Sequence, residues 1–448
     1  MRNLTVIGAS QIFQSSGPCS LLELYHQRPS KQYSAYNAWN LDNNGNLNNN
    51  NKYNDLTVVP LAELSEKAEE VKGGYIVPLA DLYDAFYVCR KNKRSTLSEM
   101  NFELRMEENV IRLWKEINDR SYKIGKSISF IVEQPVKREV FAANFRDRVV
   151  HDWICLRLIP LFEEYLPECM TSNRKNKGNL YAMNLVEELM RQKSEDYTLD
   201  CWIWKFDLQG FFMSIDKTLL NNKLQAFIDE RYKGEDIEVL KWLTEKVIKN
   251  CPQNNCFRKS PISAWEGLKA NKSLFAQDSN HGMPIGNLPS QLFANFLLSD
   301  MVYYLKERGL DCVQYVDDVV VVHKDKEEIL QVIPAFRQWL KENLNITLHP
   351  RKCYIQHYAK GVSFVGGIIK PHRRYLSRRC RRKALAKIHW ISKGNLSLEK
   401  VRESANSYLG ITQHFTAYKL RKEIAEMLFS RFGHQISFGT NFSKMIIN

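Results

Sequence analysis

Three aspartates stand where strongly apolar segments end. Asp207 follows the segment WIWKF and precedes a Gly-Phe-Phe turn, while Asp317 and Asp318 lie at the tip of YVDDVVVV. Adjacent carboxylates repel one another and are costly beside an apolar hairpin unless cations neutralise them. Three such groups on neighbouring strand ends would form the hard oxygen cage in which two Mg²⁺ ions clamp the attacking and leaving oxygens of a phosphoryl transfer. An Asp-Asp pair alone is also common in ordinary solvated turns, so the neighbouring motifs are needed to distinguish a metal site from such a turn.

The apolar patterns predict the elements that position these carboxylates. TLDCWIWKFDL indicates a buried strand that ends at Asp207, and CVQYVDDVVVVHK indicates a hairpin with a Val-Asp-Asp tip. A long helix from about Leu288 to Arg308 precedes this hairpin, and VSFVGGIIK indicates one strand after it. Farther upstream, SISFIVEQPVKREVFAA predicts two strands joined by a turn at Gln134-Pro135.

Length and charge bound the class of protein. The 448 residues suggest two or three domains, and 64 Lys+Arg against 50 Asp+Glu give a net charge of +14. Such a field attracts polyanions, so nucleic acid is a natural partner. No apolar run approaches the roughly 18 residues that span a bilayer, so a membrane partner is not expected. Ten cysteines without paired CxxC spacing favour a reduced, cytoplasmic environment over a disulfide scaffold.

The aspartates belong to a longer ordered series of motifs. FDLQGFF, GMPIGNLPSQLFAN, YVDD, LHPRKCYI and GVSFVGGIIKP resemble motifs A to E of reverse transcriptases, in that order and spacing, and EQPVKREVFAANFRDRVVH resembles their fingers segment. The resemblance implies an α+β right-hand polymerase and RNA-directed DNA synthesis, here in a bacterial or phage-encoded protein. It places the fingers near 75–195, the palm near 196–372 and the thumb near 373–448, behind a loop-rich, Asn-rich extension over 1–74.

The resemblance also gives the acidic and basic residues roles in catalysis. Asp207 and Asp317 would hold both Mg²⁺ ions, for which Mn²⁺ can substitute, and Asp318 would contribute less directly. Lys352 in PRKC matches the motif D lysine that protonates the departing pyrophosphate. For a single lysine, a solvated surface charge is an equally good interpretation.

A second implied set binds the incoming nucleotide. Arg138, with its neighbouring lysine, would grip the triphosphate, because a guanidinium matches phosphate geometry. Phe212 matches the ring that excludes a 2′-hydroxyl, although core packing is the alternative, and Gly286 lets the backbone approach the nucleotide or template. The complete predicted set is Lys137, Arg138, Phe212, Ile285, Gly286 and Gln291.

Motif B narrows the family. Most reverse transcriptases have QGxxxSP here, whereas this chain has IGxxxSQ, from Ile285 to Gln291. That form resembles the enzymes of diversity-generating retroelements, which miscopy template adenines and work with a small basic oligomeric accessory protein. Replacing a polar side chain by Ile285 removes a hydrogen bond that could reject a mispair. A defence-associated reverse transcriptase that makes cDNA during phage infection and a catalytically silent RNA-binding scaffold remain alternatives.

A basic segment follows motif E. As a thumb surface it would track the phosphates of the template RNA and its RNA or DNA primer, and a solvated helix face is the alternative. The predicted nucleic-acid-binding residues are Arg373, Arg374, Arg378, Arg379, Arg381, Arg382 and Lys383. At the other end, ten asparagines among residues 37–54 indicate a loop, which a template repeat overlapping the reading frame would explain.

Overall fold

The computed structural model describes residues 76–91, 96–134 and 136–448. The predicted Asn-rich extension over 1–74 and Pro135 of the predicted fingers turn lie outside these residues. The helices are α1 (Leu79–Arg90), α2 (Leu97–Glu103), α3 (Met106–Asn118), α4 (Phe145–Tyr165), α5 (Asn179–Lys193), α6 (Phe211–Ser214), α7 (Lys217–Arg231), α8 (Ile237–Lys249), α9 (Leu288–Glu307), α10 (Lys326–Leu344), α11 (Arg378–Lys393), α12 (Leu398–Gln413) and α13 (Tyr418–Phe432). The strands are β1 (Ser127–Val132), β2 (Arg138–Ala142), β3 (Trp202–Asp207), β4 (Cys256–Arg258), β5 (Asp311–Tyr315), β6 (Asp318–His323), β7 (Tyr354–His357), β8 (Val362–Phe364), β9 (Gly367–Lys370), β10 (Arg373–Leu376), β11 (Ile436–Phe438) and β12 (Met445–Ile447).

A four-stranded antiparallel sheet in the order β5-β6-β3-β7 lies at the centre of the molecule. Alternate side chains of its strands enter two different hydrophobic cores, because successive residues of a strand point to opposite faces. Trp204 and Val321 join the larger core, and Ile203 and Val320 join the smaller one. Burial on both faces explains why β3 and β6 are almost continuously apolar in sequence.

A second sheet has the order β2-β1-β4. The predicted pairing of β1 with β2 is confirmed as an antiparallel ladder, with Phe130 opposite Val140. Strand β4 adds to the other edge of β1 in parallel, with Phe257 opposite Ile128, and it comes from the long segment between α8 and α9. The sequence patterns did not predict this third strand.

The interpretation of VSFVGGIIK as one strand is wrong. The segment forms two antiparallel strands, β8 and β9, and β10 pairs with β9 to complete a three-stranded sheet. The chain reverses at Val365 and Gly366, which have φ values of 41° and 89°. A left-handed conformation at two successive residues forces a tight turn, and Gly366 adopts it without steric cost.

The C-terminal helices have their own core. Buried residues of α11, α12 and α13, among them Ile388, Leu409 and Leu428, form a separate hydrophobic cluster with Ile436 and Met445 of the β11–β12 hairpin. The predicted helical tail is thus mostly helical and ends in a short hairpin. Among the residues that the structure describes, no helix is both long and apolar enough to cross a membrane.

Candidate active site

Backbone pairing brings the three predicted carboxylates to one end of the central sheet. Asp207, the last residue of β3, is the ladder partner of Asp318, the first residue of β6. The Leu208 N–H donates to the carbonyl of Asp317 at 3.2 Å, which fixes the hairpin tip beside the end of β3. The His349 N–H donates to the carbonyl of Asp207 at 2.8 Å. The site is therefore built on strand ends and held from both sides.

Two lysines neutralise two of these carboxylates. Lys352 Nζ lies 2.6 Å from Oδ2 of Asp207, which is one of the two residues predicted to hold the metal ions. Lys205 Nζ lies 3.0 Å from Oδ1 and 3.2 Å from Oδ2 of Asp318. The Lys352 side chain is 59% exposed and that of Lys205 only 15% exposed, so the first is free to swing away and the second is fixed. The structure thus places Lys352 beside Asp207, and its role as a proton donor stays a prediction.

Burial and mutual repulsion act on the remaining charge. Burial, with the negative charges of Asp207 and Asp318 added, raises the pKa of Asp317 to about 6. Burial also raises the pKa of Asp318, and the Lys205 ammonium opposes that rise. The site therefore carries more negative charge than its lysines balance, which is the condition that favours a bound cation.

The hairpin tip is strained and tightly supported. Val316 has a φ of 55°, an uncommon value for a β-branched residue. Its N–H donates to Ser172 Oγ at 3.1 Å, and Ser172 in turn donates to Oδ1 of Asn295 in α9 at 2.8 Å. Asn295 donates back to the Ser172 carbonyl at 2.6 Å, and Gln314 donates to the Val316 carbonyl. Sequence reasoning missed Ser172 because only the fold brings it to the tip.

Two of the residues predicted to bind the nucleotide lie in one apolar cluster. Phe212 and Ile285 both pack against a small core of Phe141, Met213 and Leu274. Among these, the Phe141 N–H donates to the Ile285 carbonyl at 2.9 Å. Motif A, motif B and strand β2 therefore meet at this cluster.

Glycines allow the close approaches in this region. Gly286 has a φ of 117°, and a Cβ there would lie 2.7 Å from Val140 Cγ1. Gly210, before α6, has a φ of 59°, and a Cβ there would lie 2.7 Å from the Asn271 carbonyl oxygen. Side chains at either position would push motif A or motif B away from its neighbour. Gln291 lies half-buried in the first turn of α9.

The two fingers cations have different surroundings. Arg138 is exposed at the start of β2, as a triphosphate-binding residue requires. Lys137 Nζ instead donates to the Glu266 carbonyl at 2.8 Å, in the segment that also contains β4. Next along β2, the buried Glu139 carboxylate accepts hydrogen bonds from Trp265 Nε1 at 2.6 Å and Ser273 Oγ at 2.8 Å. This segment is therefore anchored to the fingers strand beside the predicted triphosphate position.

The predicted nucleic-acid-binding cations fall into two groups. Arg374 is largely buried and bonds to Glu187 and to Asn184, the latter at 2.7 Å, so it joins β10 to α5. Arg381 pairs with Glu423 at 2.9 Å while remaining exposed. Three further cations of α11 line a cavity of about 350 Å³ between α11 and the β1–β2 hairpin, together with Gln134 and Ala386. These cations are Arg379, Arg382 and Lys383. Arg373 and Arg378 are exposed nearby.

The donor set fits divalent cations, although it is not a ready-made cage. Within the described residues, no three Asp, Glu, His or Cys side chains are gathered closely enough to form one. Ammonium groups lie beside two of the three carboxylates, Lys352 at Asp207 and Lys205 at Asp318. Hard carboxylate oxygens with a raised pKa at Asp317 are nevertheless the groups that Mg²⁺ and Mn²⁺ prefer.

The fold and the acidic strand ends define a template-directed polymerase of the right-hand, α+β type. The family model described as reverse transcriptase (RNA-dependent DNA polymerase) matches residues 138–369, which is more than half of the chain. This stretch includes the three carboxylates, Lys352 and motif B. The chain belongs to the reverse transcriptase family. Members of the family use divalent metal ions.

Individual relatives are distant. The putative COX1/OXI3 intron 2 protein of Saccharomyces cerevisiae is 24% identical over 302 residues, which are 58% of this chain and 34% of that protein. The chain thus spans about a third of the length of this curated relative. Among solved structures, apo telomerase from Candida tropicalis has a TM-score of 0.43 at 11% identity, covering 69% of this chain and 60% of that one. Telomerase from Candida albicans in complex with a TWJ fragment of telomeric RNA has a TM-score of 0.41 at 11% identity, covering 75% and 63%.

Proposed function

We propose that this reverse transcriptase belongs to a diversity-generating retroelement and copies a template RNA into cDNA with errors opposite adenines. The observation that carries the proposal is motif B, in which Ile285 stands where most of the family has glutamine and Gln291 where most have proline. Ile285 packs against an apolar cluster with Phe212 and Phe141. An apolar side chain there offers the nascent base pair no hydrogen bond, so a mispair loses nothing that a correct pair would gain.

The catalytic roles follow from the geometry of the strand ends. Asp207 and Asp317 would hold two Mg²⁺ ions, with Mn²⁺ as a substitute, and Asp318 would contribute less directly. When bound, the ions activate the primer 3′-hydroxyl and stabilise the leaving pyrophosphate. Lys352, exposed and 2.6 Å from Asp207, would donate a proton to the departing pyrophosphate.

The nucleotide and the nucleic acid would approach from the fingers and the thumb. Arg138 would bind the triphosphate, and Phe212 would lie under the sugar. One face of the fingers sheet carries Phe257, 64% exposed, and Ile128, 38% exposed, as cross-strand neighbours. Exposed aromatic and aliphatic side chains on a sheet are typical platforms for unpaired bases. Template RNA would cross this face and leave along the cations of α11.

Sequencing of the cDNA tests the proposal. The purified protein is supplied with the RNA encoded upstream of its gene, with and without a small basic accessory protein. We expect errors concentrated opposite template adenines, and we expect Ile285→Gln to lower their frequency several-fold because a hydrogen-bonding side chain returns. Ile285→Val keeps the apolar contact and serves as the matched control, so its error spectrum should equal that of the wild type.

Other outcomes distinguish the alternatives. Faithful, repetitive or untemplated cDNA, unaffected by Ile285→Gln, would contradict the retroelement proposal and favour a defence-associated reverse transcriptase. DNA synthesis that persists in Asp317→Ala/Asp318→Ala would contradict the roles given to the carboxylates. A wild-type protein that binds RNA but makes no cDNA on any template would support only the scaffold.

A further inference from the structure

The side chain of Lys205 joins three strands beside the active site. Lys205 lies on β3 two residues before Asp207, so both side chains point to the same face of the sheet. Its ladder partner is Val320, which places Asp318 diagonally opposite, within reach of a long side chain. Lys205 Nζ lies 3.0 Å and 3.2 Å from the two oxygens of Asp318, and it also donates to the carbonyl of Ser363 in β8.

The Lys205–Asp318 ion pair is more deeply buried than the neighbouring Lys352–Asp207 pair. The Lys205 side chain is 15% exposed and that of Asp318 is 27% exposed, whereas the Lys352 side chain on Asp207 is 59% exposed. A largely buried ion pair is costly to break, because each partner would leave the other charge uncompensated in a poorly solvated place. The exposed Lys352 can exchange for a metal ion or a phosphate at little cost. Lys205, held by a carboxylate and a backbone carbonyl together, cannot.

We propose that Lys205 is a positioning residue that keeps Asp318 neutralised throughout the polymerisation cycle. The divalent cations are thereby directed to Asp207 and Asp317, and Asp318 is kept from competing for them. Through the Ser363 carbonyl, the same ammonium fixes the β8–β9 hairpin relative to the catalytic carboxylates. The inference rests on the reverse transcriptase reaction and does not depend on which template RNA is copied.

Titration with Mn²⁺ in the absence of primer, template and nucleotide tests the proposal. Removing a cation from beside three carboxylates makes the local potential more negative, so Lys205→Met should bind Mn²⁺ about 3- to 10-fold more tightly by calorimetry. The same variant should lose at least about 10-fold in kcat with little change in the KM for dNTP, because the freed Asp318 draws the metal out of position. Lys205→Arg should restore most of both values.

The matched control replaces Lys193, the last residue of helix α5, which lies at the end of β5 opposite to the active site. Lys193 forms an ion pair with Asp311 of β5, with Nζ 2.5 Å from Oδ2. Lys193→Met should leave both the Mn²⁺ affinity and kcat within about two-fold of the wild type. Weaker or unchanged Mn²⁺ binding in Lys205→Met, whatever its activity, would overturn the proposal, because a purely structural lysine predicts that result.

The double variant Lys205→Met/Asp318→Asn covers the case in which the single variant does not fold. It removes both charges of the pair, so it should fold, and its Mn²⁺ affinity should return to within about two-fold of the wild type. A double variant that binds Mn²⁺ as tightly as Lys205→Met would mean that Lys205 acts on the metal without Asp318, and would overturn the proposal. Wild-type cDNA synthesis that depends on Asp317 is the separate check on the underlying reaction.

Discussion

The ionised carboxylate of Asp317 lowers the free energy of unfolding of the metal-free protein. Its pKa is raised from 3.8 to about 6, so the folded state binds a proton more tightly than the unfolded state does. The contribution of Asp317 to the free energy of unfolding is therefore greatest below about pH 4 and is lost as the pH rises through about 6. In EDTA at pH 7.5, Asp317→Asn should unfold at a higher urea concentration and be about 1–2 kcal/mol more stable, a figure reduced for partial solvent exposure.

The same comparison at pH 4 is the control for this prediction. At pH 4 the wild-type carboxyl is protonated in the folded state and still partly ionised in the unfolded state, so the difference in stability should shrink to roughly 0.5 kcal/mol. Addition of Mn²⁺ at pH 7.5 should reverse the order, because only the wild type gains stability by binding the ion. A less stable Asp317→Asn in EDTA would contradict the electrostatic account.

Residue types and spacing predicted the acidic site but not its supports. Asp207, Asp317 and Asp318 were identifiable because charge inside a strongly apolar pattern is expensive. Lys205 gave no such signal, since a lysine next to an aspartate strand end is indistinguishable in sequence from a solvated charge. Ser172 is 144 residues from the Val316 amide to which it bonds, a separation that no local pattern reports.

The β5–β6 hairpin depends on a neighbouring loop and on α9 for its shape. Ser172→Ala would leave the Val316 N–H and Asn295 Oδ1 without their hydroxyl partner in a buried place. We expect a loss of about 1–3 kcal/mol in the free energy of unfolding. We also expect kcat to fall by more than KM changes, because the tip that presents Asp317 is released. Urea denaturation and steady-state primer extension measure the two effects.

A serine at the protein surface provides the comparison for Ser172→Ala. The Ser437 hydroxyl donates to Oδ1 of Asn448 at 2.6 Å in an exposed hydrogen bond. Ser437→Ala should cost less than about 0.5 kcal/mol and leave kcat unchanged. Equal effects of the two substitutions would refute the role assigned to the Ser172 network.

Elements with long periodic patterns were predictable, and short ones were not. The helix from Leu288 and the hairpin around Asp317 were found from apolar runs. Strand β4 has three residues, and its partner Ser127 is 129 residues away from Cys256, so its identity comes from the β1 edge rather than from its own composition. In VSFVGGIIK, the apolar residues on both sides concealed the turn, although a Gly-Gly pair between two apolar runs is itself a hairpin signal.

At the scale of the whole molecule, the positive charge of α11 should control how tightly nucleic acid binds. Arg379 and Arg382 line the cavity between α11 and the fingers hairpin. Replacing both by glutamine should weaken binding of a primer–template duplex and reduce the slope of log K against log salt by roughly 1–2. Fluorescence anisotropy between about 50 and 200 mM salt measures this slope.

The control for this prediction has the same change in net charge. Arg112 and Arg191 are 60% and 52% exposed and pair with glutamates of their own helices. Replacing these two by glutamine should leave the salt slope unchanged if the position of the charge matters. An equal reduction in both double variants would mean that only the net charge of the protein attracts nucleic acid.

The parallel pairing of β4 with β1 has a consequence for synthesis on the ribosome. Strand β4 begins 114 residues after β2 ends, so the nascent β1–β2 hairpin waits for its third strand. At about 5–20 residues per second that delay is roughly 6–23 s. During this time the edge of β1 presents unpaired N–H and C=O groups to other chains. Slow translation between residues 142 and 256 would therefore lengthen the time for which this edge is open to pairing with other chains.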